Sequence, residues 1–553
     1  MKRIRIIILF TLFCTCIRVY AQLSTKERPI SFDSKIKLTE ISKNSISAVT
    51  MPKLDMAKVE AEDKENEEYD MPPRFGFPHK VNYDLNHSGI WYELPNGDKL
   101  WKLNIICPDA LSVNICYDKF WIPEGGKFFV YSKDRMQYIG AFTSKNNKGD
   151  QNHIRGFATG LIYDSDIVLE YYQPKDVEMD AIISIDFIVH GYKNIKAGNG
   201  SLPCMVNINC DDGQNWQNEK KAVARMIIEG AYYGSGSLIN TTKFCQEPFF
   251  LTASHCVTSV GKDAVGYPNL DYTLFYWNYE APGCDNIIGE PTNSFVTSGA
   301  TILSNNPISD FALLRLTEDP NDISNYTPYY LGWDRSGQSG NSGVCIHHPM
   351  GDVKKISTVA SQPTSASNHW KVEWSHGITQ GGSSGSPLLN AEHRIVGQLQ
   401  GSDTTACYYP YVHGFFGKFH VSWTGNGNNS IQRRLDCWID SLNAGVQTME
   451  GLLIIPVTKT ITTNEQIYSN IRITSSGKLT IQSNVELVGN CRVIVESGGQ
   501  LIIDGGALLN ADIFLKSGSS LRIINNGVIE IANCIDTAVG ASVDILYGQI
   551  LNQ

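Results

Sequence analysis

The run Gln380-Gly381-Gly382-Ser383-Ser384-Gly385-Ser386-Pro387 crowds small residues around a serine at the end of a strand-like segment. A serine hydroxyl is a weak nucleophile at neutral pH, so it needs an adjacent base, and the oxyanion it creates needs aimed N–H donors. Glycine, with no Cβ, permits the tight backbone such donors require. Gly382 and Gly385 therefore read as turn residues, and the N–H groups of Gly382 and Ser384 as a candidate oxyanion hole. Glycine and serine runs are more often plain loops, so other residues must decide. Phe249-Phe250-Leu251-Thr252-Ala253-Ser254-His255-Cys256 is an apolar, β-prone run that ends in a histidine, the candidate base. Ser309-Asp310-Phe311-Ala312-Leu313-Leu314-Arg315-Leu316 sets one carboxylate at the head of an interior-strand pattern. Held against the imidazole N–H, Asp310 would fix the tautomer of His255 and stabilise the imidazolium formed when Ser384 gives up its proton. The chemistry predicted is acyl transfer.

The order His, Asp, Ser is that of trypsin-like double-barrel proteases; other folds use other orders. The dispersed pieces Leu251-Thr252-Ala253, Tyr276-Trp277-Asn278-Tyr279, Gly332-Trp333-Asp334-Arg335, Ile346-His347-His348-Pro349 and Lys354-Lys355-Ile356-Ser357 add to this. So do Gly381 to Pro387, Gly397-Gln398-Leu399 and Ser422-Trp423-Thr424-Gly425. From about Cys204 to Leu452 the chain resembles the lysyl endopeptidase family of bacterial trypsin-like serine proteases. The resemblance implies two six-stranded antiparallel barrels with His255, Asp310 and Ser384 in the cleft between them. It also implies disulfides Cys204–Cys407 and Cys210–Cys284. A third family bridge clasps the histidine loop through Cys256, but Gly234-Ser235-Gly236-Ser237 occupies the region of its usual partner, and Cys245 is the nearest substitute.

The departures bear on specificity. Lysine preference in the family depends on a pocket aspartate, and the matching position here is Gly414. A buried ammonium without a counter-charge costs several kcal/mol, so strict lysine preference is not expected. Gln400 replaces a family histidine, and Ile378, six positions before Ser384, is uncharged. The expectation is a neutral or aromatic-lined pocket floored by Phe415 or Phe416. Asp403 keeps open a lysine- or arginine-specific alternative. Ser383 stands where many trypsin-like zymogens carry an aspartate that pairs with a freed N-terminus, so activation is expected not to use that ion pair; removal of an N-terminal segment would instead uncover the site.

Around this unit the 553 residues divide into further segments. Residues 1–21 have a basic start, an apolar core and Val19-Tyr20-Ala21, and read as a signal peptide. Residues 22–72 are polar and poor in aromatics, and read as a flexible leader. In 73–196, Leu100-Trp101-Lys102-Leu103-Asn104-Ile105 and Lys127-Phe128-Phe129-Val130-Tyr131 with intervening turn signals predict a β-sandwich. It resembles the pro-region of lysyl endopeptidase-like precursors, a folding aid or inhibitor; a permanent binding module is the other reading. Gly198-Asn199-Gly200-Ser201 forms a small-residue seam suited to maturation cleavage, and the protease domain is placed at 201–452. Near its end Ser430 is expected to cap a helix with Ile431, Leu435, Trp438, Ile439 and Leu442 on one face. In 455–553, Lys478-Leu479-Thr480-Ile481 recurs as Gln500-Leu501-Ile502-Ile503 and Ser520-Leu521-Arg522-Ile523, the leucines 22 and 20 residues apart. That period suits a parallel β-solenoid, serving as spacer, surface attachment, substrate contact or simple stabilising structure. The predicted fold class is all-β throughout.

Net charge is −10 and no basic stripe interleaved with aromatics occurs, so nucleic acid is not an expected partner. There is no P-loop or dinucleotide fingerprint, and no CxxC pair to suggest zinc; no cofactor or metal is expected. No apolar stretch after the leader is long enough to span a membrane. Twelve cysteines remain beyond the leader, which fits an oxidising exterior, and Cys107 with Cys116 could join a hairpin. The expected protein is a secreted or cell-surface serine endopeptidase acting on proteins or peptides. The competing class is an adhesion protein with a protease-like core.

Overall fold

Strands, some alternating and others buried on both faces, make up almost every element of the computed structural model, which describes residues 27–41, 47–68, 71–198, 200–242, 248–259, 269–287, 289–291, 293–323, 326–403, 406–407, 412–441, 443, 445–467 and 470–552. The first unit is a sandwich. A seven-stranded sheet centred on Lys99–Ile106, Asp166–Gln173 and Lys127–Ser132 faces a four-stranded sheet of Phe157–Ala158, Ser112–Trp121, Ile182–Gly191 and Gly76–Asp84. Inward residues of both sheets, among them Leu103, Ile105, Phe120, Phe128 and Leu169, form its own apolar core, as stacked sheets require.

Three expectations are corrected here. Residues 22–72, expected as a flexible leader, contribute structure: Ala48–Thr50 adds a parallel strand to Lys99–Ile106, and Met56–Glu68 is helical. That helix is tied down by Arg74, whose guanidinium meets Asp63 at 2.8 Å, Glu62 at 3.1 Å and the Val59 carbonyl at 3.3 Å. Cys107 and Cys116 are buried and unbonded. Cys107 packs into the sandwich core, whereas Cys116 belongs to the apolar cluster facing the next unit, so no hairpin brings them together. The helix expected after Ser430 is two separate turns, Ile431–Arg433 and Asp436–Ile439. Arg434 between them is extended, the Ser430 side chain makes no cap bond, and Asn306 Nδ2 captures the Arg433 carbonyl at 3.1 Å. Leu435 and Ile439 are still buried, but Ile431 is exposed; Leu442 lies outside the described residues, as do residues 1–21, expected as a signal peptide.

The second unit contains two sheets. The first runs β1 (Val223–Ile228), β2 (Tyr232–Leu238), β3 (Phe249–Ala253), β4 (Leu274–Trp277), β5 (Phe295–Ser298), β6 (Ala300–Asn306) and β7 (Phe311–Leu316), in spatial order β5-β4-β1-β2-β3-β7-β6. This is an open path of seven strands rather than a closed six. The second, β8 (Gly343–His347), β9 (Lys355–Val359), β10 (His369–His376), β11 (Pro387–Asn390), β12 (Arg394–Ser402) and β13 (His413–Lys418), closes on itself in the order β9-β8-β11-β12-β13-β10-β9. Closure removes free edges. Disulfides link Cys204 to Cys407 and Cys210 to Cys284.

The last unit is a β-solenoid of two parallel sheets. Leu479, Leu501 and Leu521 are buried register partners in successive coils, so the repeat seen in sequence becomes one apolar ladder, and their next partner, Val543, is exposed. The ladder joins the core of the open barrel in a single continuous apolar cluster. Arg472 locks the junction: it is buried, donates to the Pro328 carbonyl at 2.8 Å and Asn321 Oδ1 at 2.9 Å, and pairs with Glu496. Among the described residues no helix is long and apolar enough to cross a membrane.

Candidate active site

β3 delivers its apolar residues to the core and stops at Ala253, where a short helix, Ser254–Thr258, begins and carries His255. Opposite it, the turn Ser309-Asp310 leads into β7, and Asp310 takes a left-handed backbone (φ 53°), a conformation that Asp tolerates better than most residues. The Asp310 carboxylate receives two bonds from His255: the backbone N–H at 2.9 Å and ring Nδ1 at 2.7 Å. Because a carboxylate only accepts, Nδ1 carries a proton, and in the neutral ring Nε2 holds the lone pair. Asp310 is almost wholly buried and His255 nearly so. Burial alone would push the His255 pKa down, but the neighbouring Cys256 sulfur and the Asp310 carboxylate outweigh it, and the net shift is well above the ordinary 6.5.

The turn holding Asp310 is anchored from the other barrel. Gln398 Nε2 on β12 donates to the Ser309 carbonyl at 2.6 Å, and Ser309 Oγ meets Ser422 Oγ at 2.9 Å. Neither partner stands out by chemistry in the sequence; both fall within short motifs, Gly397-Gln398-Leu399 and Ser422-Trp423, that order along the chain singles out.

The serine loop is a tight, stitched turn. Gly382 and Gly385 have φ of 87° and 86°. A Cβ on Gly382 would run into the Tyr233 ring and one on Gly385 into Thr252 and the Ser235 carbonyl, so glycine is required at both positions. The Ser384 carbonyl accepts from Ser235 N–H at 3.0 Å and the Gly382 carbonyl from Ser235 Oγ at 2.8 Å. Within Gly382–Gly385, the Ser383 and Gly385 N–H groups donate to Gln380 and Leu399 carbonyls. Among the described residues, the Gly382 and Ser384 N–H groups donate to no protein acceptor, as a pair of donors kept for an incoming oxyanion must.

Ser384 Oγ donates to the Gln400 carbonyl at 3.3 Å and makes no hydrogen bond to His255 in this structure. The two residues share a neighbour: the Cys256 sulfur lies 3.7 Å from His255 Nε2 and 3.9 Å from the Ser384 carbonyl. Hydrogen bonds between a catalytic serine and its base are commonly long or absent in unliganded sites and tighten only when substrate binds. Cys256 is buried without a disulfide partner among the described residues, and Cys245 lies outside them.

Of the pocket residues, Ile378 is fully buried and Gln400 faces the serine through its carbonyl. Gly414 sits under Trp374 and Phe416: a Cβ there would lie 2.9 Å and 3.0 Å from the two rings, and 3.5 Å from Thr379 Oγ1. Thr379 Oγ1 in turn meets Ser402 Oγ at 2.6 Å. Asp403 is engaged with His413, through the backbone N–H at 2.9 Å and Nδ1 at 2.5 Å. Of the two phenylalanines read as a pocket floor, Phe416 is fully buried and Phe415 half-buried. Trp374, which sequence reasoning missed, carries no motif; it is one of two tryptophans, with Trp370, on the buried face of β10. Beside the loop, the segment before the sandwich reaches the site: Tyr233 N–H donates to the Pro73 carbonyl at 3.1 Å, and a Cβ on Gly381 would meet the Pro73 ring at 2.9 Å.

Residues 198–412 match the family model described as lysyl endopeptidase, C-terminal domain. A lysyl endopeptidase of Pseudomonas aeruginosa is 29% identical over 225 residues, 38% of this chain and 46% of that protein, so the chain spans less than half of this relative's length. A crystal structure of a serine endoprotease from Yersinia pestis aligns with a TM-score of 0.25 at 15% identity, covering 36% of this chain and 60% of the other.

Proposed function

Taking the lysyl endopeptidase family as the family of its central domain, we propose that the protein is an exported serine endopeptidase. Ser384 attacks the peptide carbonyl, His255 takes the serine proton and later gives it to the leaving amine, and Asp310 orients the ring. The N–H groups of Gly382 and Ser384 receive the oxyanion. The observation that carries this reading is the doubly bonded Asp310–His255 pair beside a loop with two unused N–H groups. The two disulfides support an oxidising, extracellular location. Attachment to the cell surface through the solenoid is part of the same proposal.

Substrate preference at the residue preceding the cut is for uncharged side chains. Gly414 offers no carboxylate, Trp374 and Phe416 close around it, and Asp403 is already paired with His413. Profiling against a peptide library tests this: cleavage after neutral residues is expected, and a dominant lysine or arginine signal overturns it. Gly414→Asp is expected to lower activity without creating lysine preference, because its Cβ would already press on both rings.

The segment around Pro73 is read as a cover whose removal opens the site, supported by its contacts with Tyr233 and Gly381. Fluorophosphonate labelling tests the serine chemistry directly; an adhesion protein with a disabled site stays unlabelled. The pH dependence follows from His255. A general base must be neutral to accept the serine proton, and this ring holds its own proton to a pH well above 6.5. The expected kcat/KM profile therefore climbs with pH through a midpoint above 6.5, and a plateau already reached at pH 6 would contradict it.

A further inference from the structure

We propose that His347 is a positioning residue that locks the oxyanion loop through Ser383, in place of the ion pair between a buried aspartate and a freed N-terminus. The inference rests on the serine endopeptidase reading of Ser384, and it gives a role to a histidine on β8 that takes no part in the triad.

The protons can be followed one by one. Ser357 Oγ donates to the Ile378 carbonyl at 2.9 Å, since a carbonyl can only accept. Having spent its proton there, Ser357 must accept from its other neighbour, so His347 Nε2, 3.0 Å away, carries the ring proton. Nδ1 is then a bare acceptor, and at 2.7 Å it takes the Ser383 O–H. Ser383 Oγ finally accepts the Gln380 N–H at 3.2 Å. The chain is Gln380 N–H to Ser383, Ser383 to His347, His347 to Ser357, and Ser357 to the Ile378 carbonyl, with every donor used once.

Both ends of this relay fall on the same loop. Ile378 and Gln380 are its entry, and Ser383 lies between the two residues whose N–H groups are proposed to form the oxyanion hole. The pins come from the adjacent strands β8 and β9 of the closed barrel, so the loop inherits the rigidity of the sheet. His347, Ser357 and Ser383 are all fully buried, and a completely satisfied buried network fixes one geometry. Burial, with Lys355 nearby, pushes the His347 pKa down to about 3. The ring is thus neutral at any pH where a serine protease works, and the relay does not wait for a charge to arrive. A second set of bonds runs parallel to it: His348 N–H donates to Ser235 Oγ at 3.0 Å, and Met350 N–H to the Gly381 carbonyl at 2.7 Å.

The test measures kcat, KM and thermal midpoint for His347→Ala, His347→Asn, Ser383→Ala and the double variant His347→Ala/Ser383→Ala. Losing control of an oxyanion donor costs on the order of 10²–10³-fold in turnover. His347→Ala is expected to lose about that much in kcat, with KM changed less than about threefold. His347→Asn places an acceptor near the Nδ1 position and should keep kcat within about tenfold of the parent. The double variant should be no worse than His347→Ala, because the second change removes a bond already lost. A His347→Ala kcat within threefold of the parent overturns the proposal. So does a double variant whose losses multiply, or an Asn variant as poor as Ala with kcat falling in step with thermal midpoint. Should His347→Ala not fold, Ser383→Ala decides alone: a kcat loss of tenfold or more at constant KM supports the role, and unchanged kcat overturns it. Labelling of the parent by a fluorophosphonate, and its loss in Ser384→Ala, judges the protease reading separately.

Discussion

Ser384→Ala will lower peptide turnover by on the order of 10⁴-fold or more while leaving the fold and substrate affinity close to those of the parent. The size follows from what is removed. Without Oγ there is no acyl-enzyme, and catalysis falls back on the oxyanion donors and on binding, which in such sites leave a residual acceleration of about 10³–10⁴ over water. The specificity of the loss follows from the local bonds. Ser384 Oγ makes one hydrogen bond, to the Gln400 carbonyl at 3.3 Å, whereas the loop is held by the backbone of Ser384 and by its neighbours Gly382 and Ser383. Deleting the hydroxyl therefore breaks nothing that shapes the loop, and thermal stability should move by less than about 1 kcal/mol. The measurements are kcat and KM on a cleaved peptide, fluorophosphonate labelling and a melting curve. Turnover within tenfold of the parent would mean that Ser384 is not the nucleophile.

How much of this was legible beforehand depends on what kind of signal each feature leaves. The Asp310–His255 contact joins residues 55 apart in the chain, and it was readable because each terminates or opens an apolar run where a lone polar group must find a partner. The solenoid was readable because a repeat near 20 residues imposes register, and Leu479, Leu501 and Leu521 stack accordingly. The leader was misread because composition sees only local polarity. Its helix is weakly amphipathic, and what orders it is a clamp on Asp63 from Arg74, 11 residues on, and Tyr192, 129 residues on. The helix after Ser430 failed for the converse reason: its apolar spacing was helical, but Asn306, far along the chain, took the Arg433 carbonyl the helix needed. Trp374 over Gly414 was invisible because strand alternation says which side of β10 a residue faces, not which strand pairs with β10 or in what register: Gly414 of β13 is the partner of Val372, two residues from Trp374. The proposed specificity pocket and loop pins depend on such strand pairings, whereas the proposed triad residues His255 and Asp310 sit at strand ends, where sequence does speak.

Asp310→Asn should cost nearly as much as losing the nucleophile, on the order of 10⁴-fold in kcat, or about 5.4 kcal/mol of barrier, although it replaces one atom by another of similar size. Asp310 offers two acceptors to two donors of His255: Oδ1 to the backbone N–H and Oδ2 to Nδ1. Asparagine has only one oxygen. If that oxygen stays on the backbone N–H, the amide NH₂ faces Nδ1, which must then be the bare nitrogen. The ring proton moves to Nε2, the lone pair that should receive the serine proton is gone, and the base is disabled without any displacement. If the amide flips, the NH₂ opposes the His255 backbone N–H, and two donors meet in a buried pocket with no acceptor between them, a costlier arrangement. The first state therefore dominates. The backbone itself should be undisturbed, because asparagine adopts the left-handed conformation of residue 310 as readily as aspartate does. Removing the carboxylate also removes one of the two influences that raise the His255 pKa, the other being Cys256, so whatever activity remains should have its acid limb displaced to lower pH. A melting curve close to that of the parent, with kcat down by four decades and the acid limb shifted downward, is the combined signature expected. A kcat loss below about tenfold would mean that the carboxylate merely fills space beside the ring, and that the tautomer of His255 is set elsewhere.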